Sequence, residues 1–556
     1  MKRLALLLLP LLGATAASAD ERSLQEKRAA AAAVLCPKAG ATRSAHLRIE
    51  PLRTLRAVTV MGDARAGGFA VVANDDAYPA VVGYSTGAPF DADALPCGLA
   101  WWLEAMDEAL ASRAVTASDM SRIAAERGLP ASVPALVSAT WGQHAPFNQL
   151  CPATASGDLP PCGCVATATA QLMHCHRWPA RGTGRHAYTW TRDDGRQLTV
   201  SADFGATAYA WDQMLDTYSQ YSPDQAEPVA RLVADIGVAV EMQYGPDASG
   251  AYISDATRAL YQHFGYHGDS QMRYRYGTDD ATWAALVMTE LAAGRPILYS
   301  GTRPSGASHV FLIDGYDAPT GMVHVNWGWD GSNNGMYNID LLQPFELASG
   351  GYSEDQSMAI GLAPAGTELG YPAYIYSSSS DGIYADGLSG YFSVSVYSGT
   401  SRPLRGRLAI LMDYPTGWTE TIASVTTDSL CGDVWLMLTP YVAHDRDTMP
   451  DGVYRVRSAF FDEEQGEWIP IQYKMHQTCE VRLTKRGDEV TVEQLLPTTI
   501  GNPVAAPAQT DVVRVYTPGG RLVLQERADR FSPDQLPGRG VYLIRQGATT
   551  RKLLRK

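Results

Sequence analysis

Two cysteines stand two positions apart in Pro-Pro-Cys-Gly-Cys-Val-Ala-Thr-Ala-Thr-Ala-Gln, residues 160 to 171, ahead of a run of small, helix-compatible residues. Three chemistries fit such a pair: a disulfide corner, half of a metal site, or a nucleophile at the start of a helix. Pro160, Pro161 and Gly163 break regular structure, so a helix can begin only after them, with Cys164 at its N-terminus. There the free N–H groups and the helix dipole favour a thiolate. Cys162 lies outside the helix and gains less. Cys-x-Cys is the wrong spacing for a zinc knuckle. His174-Cys175-His176 offers ligand types, but residues two apart on a helix do not face one another. No metal and no other cofactor is expected.

A thiolate nucleophile needs a base and a group that orients the base. His309 opens the apolar strand His-Val-Phe-Leu-Ile-Asp-Gly-Tyr, 145 positions after Cys164. That spacing falls inside the window of roughly 130–150 for a Cys…His catalytic pair. Asn326, in Val-Asn-Trp-Gly-Trp, follows on the next strand. It is expected beside the imidazole, fixing its tautomer, with Trp327 covering the bond. Gln143 precedes the nucleophile and supplies an oxyanion donor. A lone strand histidine is more often structural, and a lone buried cysteine is more often packing. The ordered set of four is far more specific than any one of them.

The elements that must position these residues read as α+β. Helices are expected over 98–110, 164–176 (stopped by Pro179), 228–240 and 282–293, with strands at 296–300, 309–315 and 322–327. Helices first and then an antiparallel sheet with Gly turns is an α+β order. Ahead of them, 67–76 and 81–85 are short β-type runs. From 366 to 494, strands at 390–397, 406–412, 434–438 and 452–461 alternate with Ser/Gly/Asp turns, which suggests a β-sandwich. Residues 495–510 form a Pro/Ala-rich linker. The last block, 511–556, holds strands at 512–516, 521–525 and 540–545 and ends in a basic run. Asp330-Gly-Ser-Asn-Asn-Gly335 imitates the front of an EF-hand loop, but its twelfth position is Leu341. A hairpin turn is expected there instead.

At 556 residues the chain is too long for one core, so several domains are expected. A net charge of −14 argues against nucleic acid or an anionic membrane surface as partner. Lys2 and Arg3, the apolar run Leu4 to Leu12 and Ala17-Ser18-Ala19 have the order of a cleaved secretory signal peptide, residues 1–19. No later segment is apolar enough to span a bilayer, so an exported protein without an integral membrane segment is expected. Export makes disulfides possible for the eight cysteines. Cys431 with Cys479 is the first expectation. Cys36 with Cys97 and Cys151 with Cys162 are further candidates, since sequence does not fix connectivity.

Gly-Cys-Val-Ala-Thr-Ala-Thr-Ala-Gln-Leu-Met (163–173) resembles the active-site segment of the streptopain family of secreted cysteine proteases. The resemblance runs on through Tyr-Ala-Trp-Asp-Gln-Met-Leu (209–215), the segment 233–246, His-Phe-Gly-Tyr (263–266) and His-Val-Asn-Trp-Gly-Trp (324–329). It covers essentially all of 133–364. It implies a papain-like peptidase domain there, made as a zymogen. Cys164 is then the nucleophile, His309 the base and acid, Gln143 the oxyanion donor, and Asn326 with Trp327 the supports of the histidine. The loop 245–251, with Ser249 and Gly250, and Trp327 would border the non-primed cleft. Segment 20–132 resembles the family's inhibitory propeptide, an intramolecular partner released by cleavage around 130–140. Cys162, Cys175 and the Ala307-Ser308 pair depart from the family pattern without removing a catalytic group.

The C-terminal pattern Val513-Arg-Val-Tyr-Thr-Pro-Gly-Gly…Gly-Val-Tyr-Leu-Ile…Arg-Lys resembles the sorting domain of type IX secretion in the Bacteroidetes. It implies the type IX secretion machinery as a partner, and a product released or held at the outer-membrane surface after passing the periplasm. The bland alternative is a second small β-sandwich. The domain 366–494 reads equally as an adhesion module, a substrate-binding module or a spacer. The function expected is a secreted cysteine endopeptidase acting on proteins and peptides. Its rivals are acyl transfer to an amine, which uses the same Cys–His pair, and a surface adhesin that keeps the domain only as scaffold.

Overall fold

The structure is a computed structural model whose described residues run from 20 to 555. It omits 37–46, 66, 112–118, 276–277, 303–307, 339–355, 379, 433, 445–446, 475–476, 498–511 and most connections among the last four strands. The signal segment 1–19, nearly all of the 495–510 linker and the turn at 304–306 therefore lie outside the described residues.

The N-terminal segment contributes helix α1 (Leu24–Leu35), strands β1 (Glu50–Thr54), β2 (Val58–Gly62), β3 (Phe69–Ala73) and β4 (Val81–Ser85), then helices α2 (Cys97–Ala111) and α3 (Met120–Arg127). Next come β5 (Ser132–Val133), α4 (Cys164–His176), the hairpin β6 (Arg185–Thr191) and β7 (Gln197–Asp203), α5 (Pro223–Ala239), α6 (Ile253–Phe264) and β8 (Gln271–Tyr274). Helix α7 (Asp280–Ala292) precedes β9 (Ile297–Thr302), β10 (Ser308–Asp317), β11 (Met322–Asn326), β12 (Gly335–Tyr337) and β13 (Ser357–Ile360). The helix through Cys164 has the expected limits. Helix α6 and the β6–β7 hairpin have no counterpart in the sequence reading.

One sheet joins the two segments, in the order β1-β2-β3-β4-β12-β11-β10-β9-β13-β8, with β5 paired to β10. Strand β4 is added antiparallel to β12 through Met336↔Tyr84 and Tyr337↔Gly83, so 20–132 is no free-standing appendage. Strand β10 explains the layering. From His309 to Tyr316 every residue is buried, because both faces of the strand are covered. Val310 and Leu312 point into a core shared with α4, α5 and α6. Phe311 and Ile313 point the other way, into a core shared with α2 and α7. Trp101 and Trp102 of α2 fill that second core. The Trp102 indole donates to the Asn338 carbonyl at 2.7 Å, and its ring meets Tyr337 edge-on at 5.0 Å.

Beyond β13, eleven strands form a sheet system around an apolar core built from Phe392, Leu408, Val456, Leu483 and their neighbours. It is anchored on the peptidase-side sheet. The amide of Met272 donates to the Gly399 carbonyl (2.7 Å) and that of Ser401 to the Ser270 carbonyl (2.9 Å). Arg402 bridges Asp269 (2.6 Å) and Asp462 (3.0 Å). The last block is a single four-stranded antiparallel sheet among the described residues, rather than a second sandwich. Its fourth strand, Thr549–Arg555, is the basic run that the sequence reading left without structure. No helix among the described residues is long and apolar enough to cross a membrane.

The expected disulfides are corrected. Cys431, Cys479, Cys151 and Cys162 are all free. Cys431 follows the strand Thr419–Leu430 and Cys479 precedes Glu480–Arg486, and two other strands lie between these in the sheet. Cys162 turns its sulfur inward to Thr167 Oγ1, 3.3 Å away. Cys36 is free as well, and the side chain of Cys97 lies outside the described residues.

Candidate active site

Helix α4 begins at Cys164 because of Gly163. That residue has φ +91° and ψ +143°, a conformation open in practice only to glycine. A β-carbon there would also lie 2.7 Å from Met242 Sδ and 3.1 Å from the Ser249 carbonyl oxygen. The helix has no side-chain cap, so its first N–H groups remain available to an anion. Cys164 is part-exposed, whereas Cys162 is fully buried.

Cys164 and His309 are hydrogen-bonded. Burial pushes the Cys164 thiol up. The hydrogen bond and charge of His309, with the N–H groups of Val310 and Val165, outweigh it and hold the thiol below its ordinary value. The other imidazole nitrogen, His309 Nε2, lies 3.0 Å from the carbonyl oxygen of Trp327. A carbonyl only accepts, so Nε2 carries a proton and Nδ1 faces the sulfur. The ring stacks near Phe311, with centroids 6.2 Å apart. By contrast, burial pushes the Cys162 thiol far above the ordinary range, and that of Cys151 up to about 12.

The expected role of Asn326 is corrected. Its carboxamide does not meet His309. Its Nδ2 donates to the Ala139 carbonyl (2.8 Å) and to Gln171 Oε1 (3.0 Å), and its Oδ1 accepts from the Gly328 amide (3.1 Å). The cause is the pleat: the register shift between Ile313 and Gly315 moves the partner of Asn326 from Ile313, on the His309 face of the strand, to Leu312, on the opposite face. The chain must then turn at Trp327 before it reaches the imidazole, and it does so with a backbone carbonyl. Trp327 is fully buried and packed on Phe311 and Tyr337, and the Asn326–His309 bond it was expected to cover is not formed.

Gln143 is brought to the nucleophile by its backbone. The Cys162 amide donates to the Gln143 carbonyl at 2.9 Å, and Thr167 Oγ1 donates to the Gly142 carbonyl at 3.2 Å. Its carboxamide makes no hydrogen bond among the described residues. Ser249 presents its carbonyl to Gly163, the residue before the nucleophile. Gly250 pairs with Gln243 and leaves open space where a side chain would be.

Gln171 was missed by the sequence reading. Its Oε1 accepts from the Trp141 amide (3.1 Å) as well as from Asn326, tying the Gln143 segment and the end of β11 to the nucleophile helix. A signal existed: it stands two turns after Cys164, on the same helix face, as a polar residue among small ones. Gly98 was missed too. A β-carbon on it would lie 2.5 Å from His309 Cδ2 and 2.6 Å from Trp327 Cε3, so the start of α2 closes over the imidazole. Among the described residues no cluster of His, Cys, Asp or Glu could hold a metal ion. A thiolate paired with an imidazole, beside a helix N-terminus, can carry out nucleophilic acyl transfer.

Comparison with known proteins agrees with this chemistry. The model of the Peptidase C10 family matches residues 141–337, and that of the Spi protease inhibitor matches 39–110. The thiol protease/hemagglutinin PrtT of Porphyromonas gingivalis is 33% identical over 320 residues, which take in 54% of this chain and 36% of PrtT. Streptopain of Streptococcus pyogenes is 31% identical over 316 residues, 54% of this chain and 79% of streptopain. Among solved structures, a fragment of Prevotella intermedia prointerpain A is covered completely, over 59% of this chain, at 35% identity and a TM-score of 0.50. The chain belongs to the Peptidase C10 family of streptopain-like cysteine peptidases, and it carries an inhibitor domain of the Spi type on the same polypeptide.

Proposed function

We propose that the protein is a secreted cysteine endopeptidase, made inactive and released by loss of its inhibitory segment. The observation that carries this reading is the Cys164–His309 hydrogen bond with His309 Nε2 anchored on Trp327. The Cys164 thiolate attacks a substrate carbonyl. The oxyanion that forms is met by the Cys164 amide and the Gln143 carboxamide. Protonated His309 passes its Nδ1 proton to the leaving amine, and a thioester remains on Cys164. His309 then takes a proton from water, which releases the acid and restores the thiolate. Asn326 acts through the turn at Trp327. Ser249 and Gly250 border the acyl side of the cleft.

Before activation, the start of α2 lies against His309 and Trp327, where a leaving group must pass. The C-terminal block then serves export through the type IX route, a reading supported by its sequence pattern and tested by truncation at 511. Loss of secretion with retained peptidase activity is expected. The test of the peptidase reading is wild-type protein against Cys164→Ala, both expressed from residue 20. Wild type should shorten itself and digest casein under reducing conditions, and the mutant should do neither. Equal casein digestion by both would overturn it.

A further inference from the structure

The turn that follows Trp327 ends in a carboxylate the reaction above does not use. Asp330 is exposed, and it holds φ +51°, the left-handed region that costs a residue with a side chain some strain. Its amide lies 3.3 Å from the Trp141 carbonyl. Its carboxylate lies over Gly142: a β-carbon on that glycine would be 2.5 Å from both carboxylate oxygens. Gly142 immediately precedes Gln143 and is tied to α4 through Thr167. Among the described residues no lysine or arginine pairs with Asp330. Burial pushes the Asp330 carboxyl up, and His144, itself exposed, works against that shift.

The side of the cleft follows from the proton. The leaving amine must take its proton from His309, so it departs on the side of His309 and of Trp327, whose carbonyl holds the imidazole. Trp327 is then on the leaving-group side and not in the non-primed cleft first expected of it. The segment 327–330 starts at the carbonyl that holds His309 and ends against the residue before Gln143. It therefore runs along the leaving-group side. Ser249 and Met242 lie against Gly163, which the peptidase reading gives to the acyl side. A fixed, unpaired carboxylate on the leaving-group wall attracts a cation there and repels an anion.

We propose that Asp330 is a specificity determinant that favours a lysine or arginine side chain at one of the first two positions after the cut. This rests on the peptidase reading. The test uses self-processed enzyme and internally quenched peptides that differ only at those two positions, carrying Arg, Gln or Glu. A coumarin amide with the same acyl half, and no residue beyond the cut, serves as control. Wild type should prefer Arg over Gln by about tenfold in kcat/KM, equivalent to ~1.4 kcal/mol, and disfavour Glu. Asp330→Asn, which tolerates the same backbone, should lose the preference yet cleave the coumarin amide as wild type does. Absence of a preference in wild type, or its survival in Asp330→Asn, overturns the proposal. A wild type that cleaves neither peptides nor coumarin amide overturns the peptidase reading and this one with it.

Discussion

His309 is held by the backbone of Trp327 and not by the side chain of Asn326: Nε2 and the Trp327 carbonyl oxygen are 3.0 Å apart. A carbonyl cannot be removed by substitution. The imidazole orienter is thereby protected from side-chain mutation, and Asn326 becomes a support of the turn.

Asn326→Ala should consequently behave as a stability mutant. It removes the partner of the Ala139 carbonyl and of the Gly328 amide and one of the two donors to Gln171 Oε1, a loss of about 1–3 kcal/mol. Urea denaturation should show that loss, while the pH profile of the folded enzyme keeps its shape. Loss of an imidazole orienter would instead cost on the order of 10⁴ in kcat, as removal of a tautomer-fixing group does. A fall of that size at full stability would return Asn326 to the role first expected of it.

The depressed pKa of Cys164 gives a second prediction. Only the thiolate is alkylated, so a lowered pKa extends reaction with iodoacetamide to lower pH. In processed enzyme the acid limb of the rate should lie below that of an ordinary thiol. In His309→Ala it should move upward, because the hydrogen bond and positive charge that offset burial are gone. A limb that does not move would mean that the helix N-terminus alone sets the thiol.

Gly98 yields a third. Any side chain there must displace either His309 or helix α2. Crowding of this kind costs ~1–3 kcal/mol. If the loss falls on docking of the inhibitory segment, Gly98→Val should speed self-processing of the full chain by roughly 5- to 150-fold. The processed enzymes should be indistinguishable. Slower or unchanged processing in the variant would show that α2 does not restrain the imidazole.

What the sequence made legible follows physical scale. Pro160, Pro161 and Gly163 act within a few residues, and they place the start of α4 correctly at Cys164. Strand β10 is apolar on both faces, which marks it as central before any partner is known. Asn326 went astray because one bulge decides which way a strand residue points, and a bulge leaves no local mark. The pairing of β4 with β12 joins positions about 250 residues apart, and the contact between Gly98 and His309 spans more than two hundred. The Cys431–Cys479 bridge failed for the same reason: proximity was guessed from a shared region, whereas strand order decides it.

Cys162 supplies a fourth prediction. Its thiol is fully buried, pushed up by burial, and hydrogen-bonded to Thr167. Peptide mapping after brief alkylation of native processed enzyme should find label on Cys164 and none on Cys162. Cys162→Ser, which retains a hydrogen-bonding group toward Thr167, should keep its activity. Loss of all activity in that variant, with Cys164 still alkylated, would make Cys162 part of the reaction.

The last prediction concerns where the inhibitory segment is cut. A peptidase needs several residues of its substrate extended and free of other backbone pairing. Residues 131–137 do not meet that condition. The Ala318 amide donates to the Ala131 carbonyl, Val133 pairs with Tyr316, and the amides of Leu136 and Val137 donate to the carbonyl and carboxylate of Asp314. The Tyr316 hydroxyl also donates to the Pro130 carbonyl. These contacts fasten the segment to β10, the strand that carries His309, so cutting there would open the sheet beside the imidazole. Cleavage is expected N-terminal to Pro130, with 131–137 retained as the first strand segment of the mature enzyme. N-terminal sequencing of the self-processed product decides it, and a mature chain starting between 131 and 140 would refute the argument.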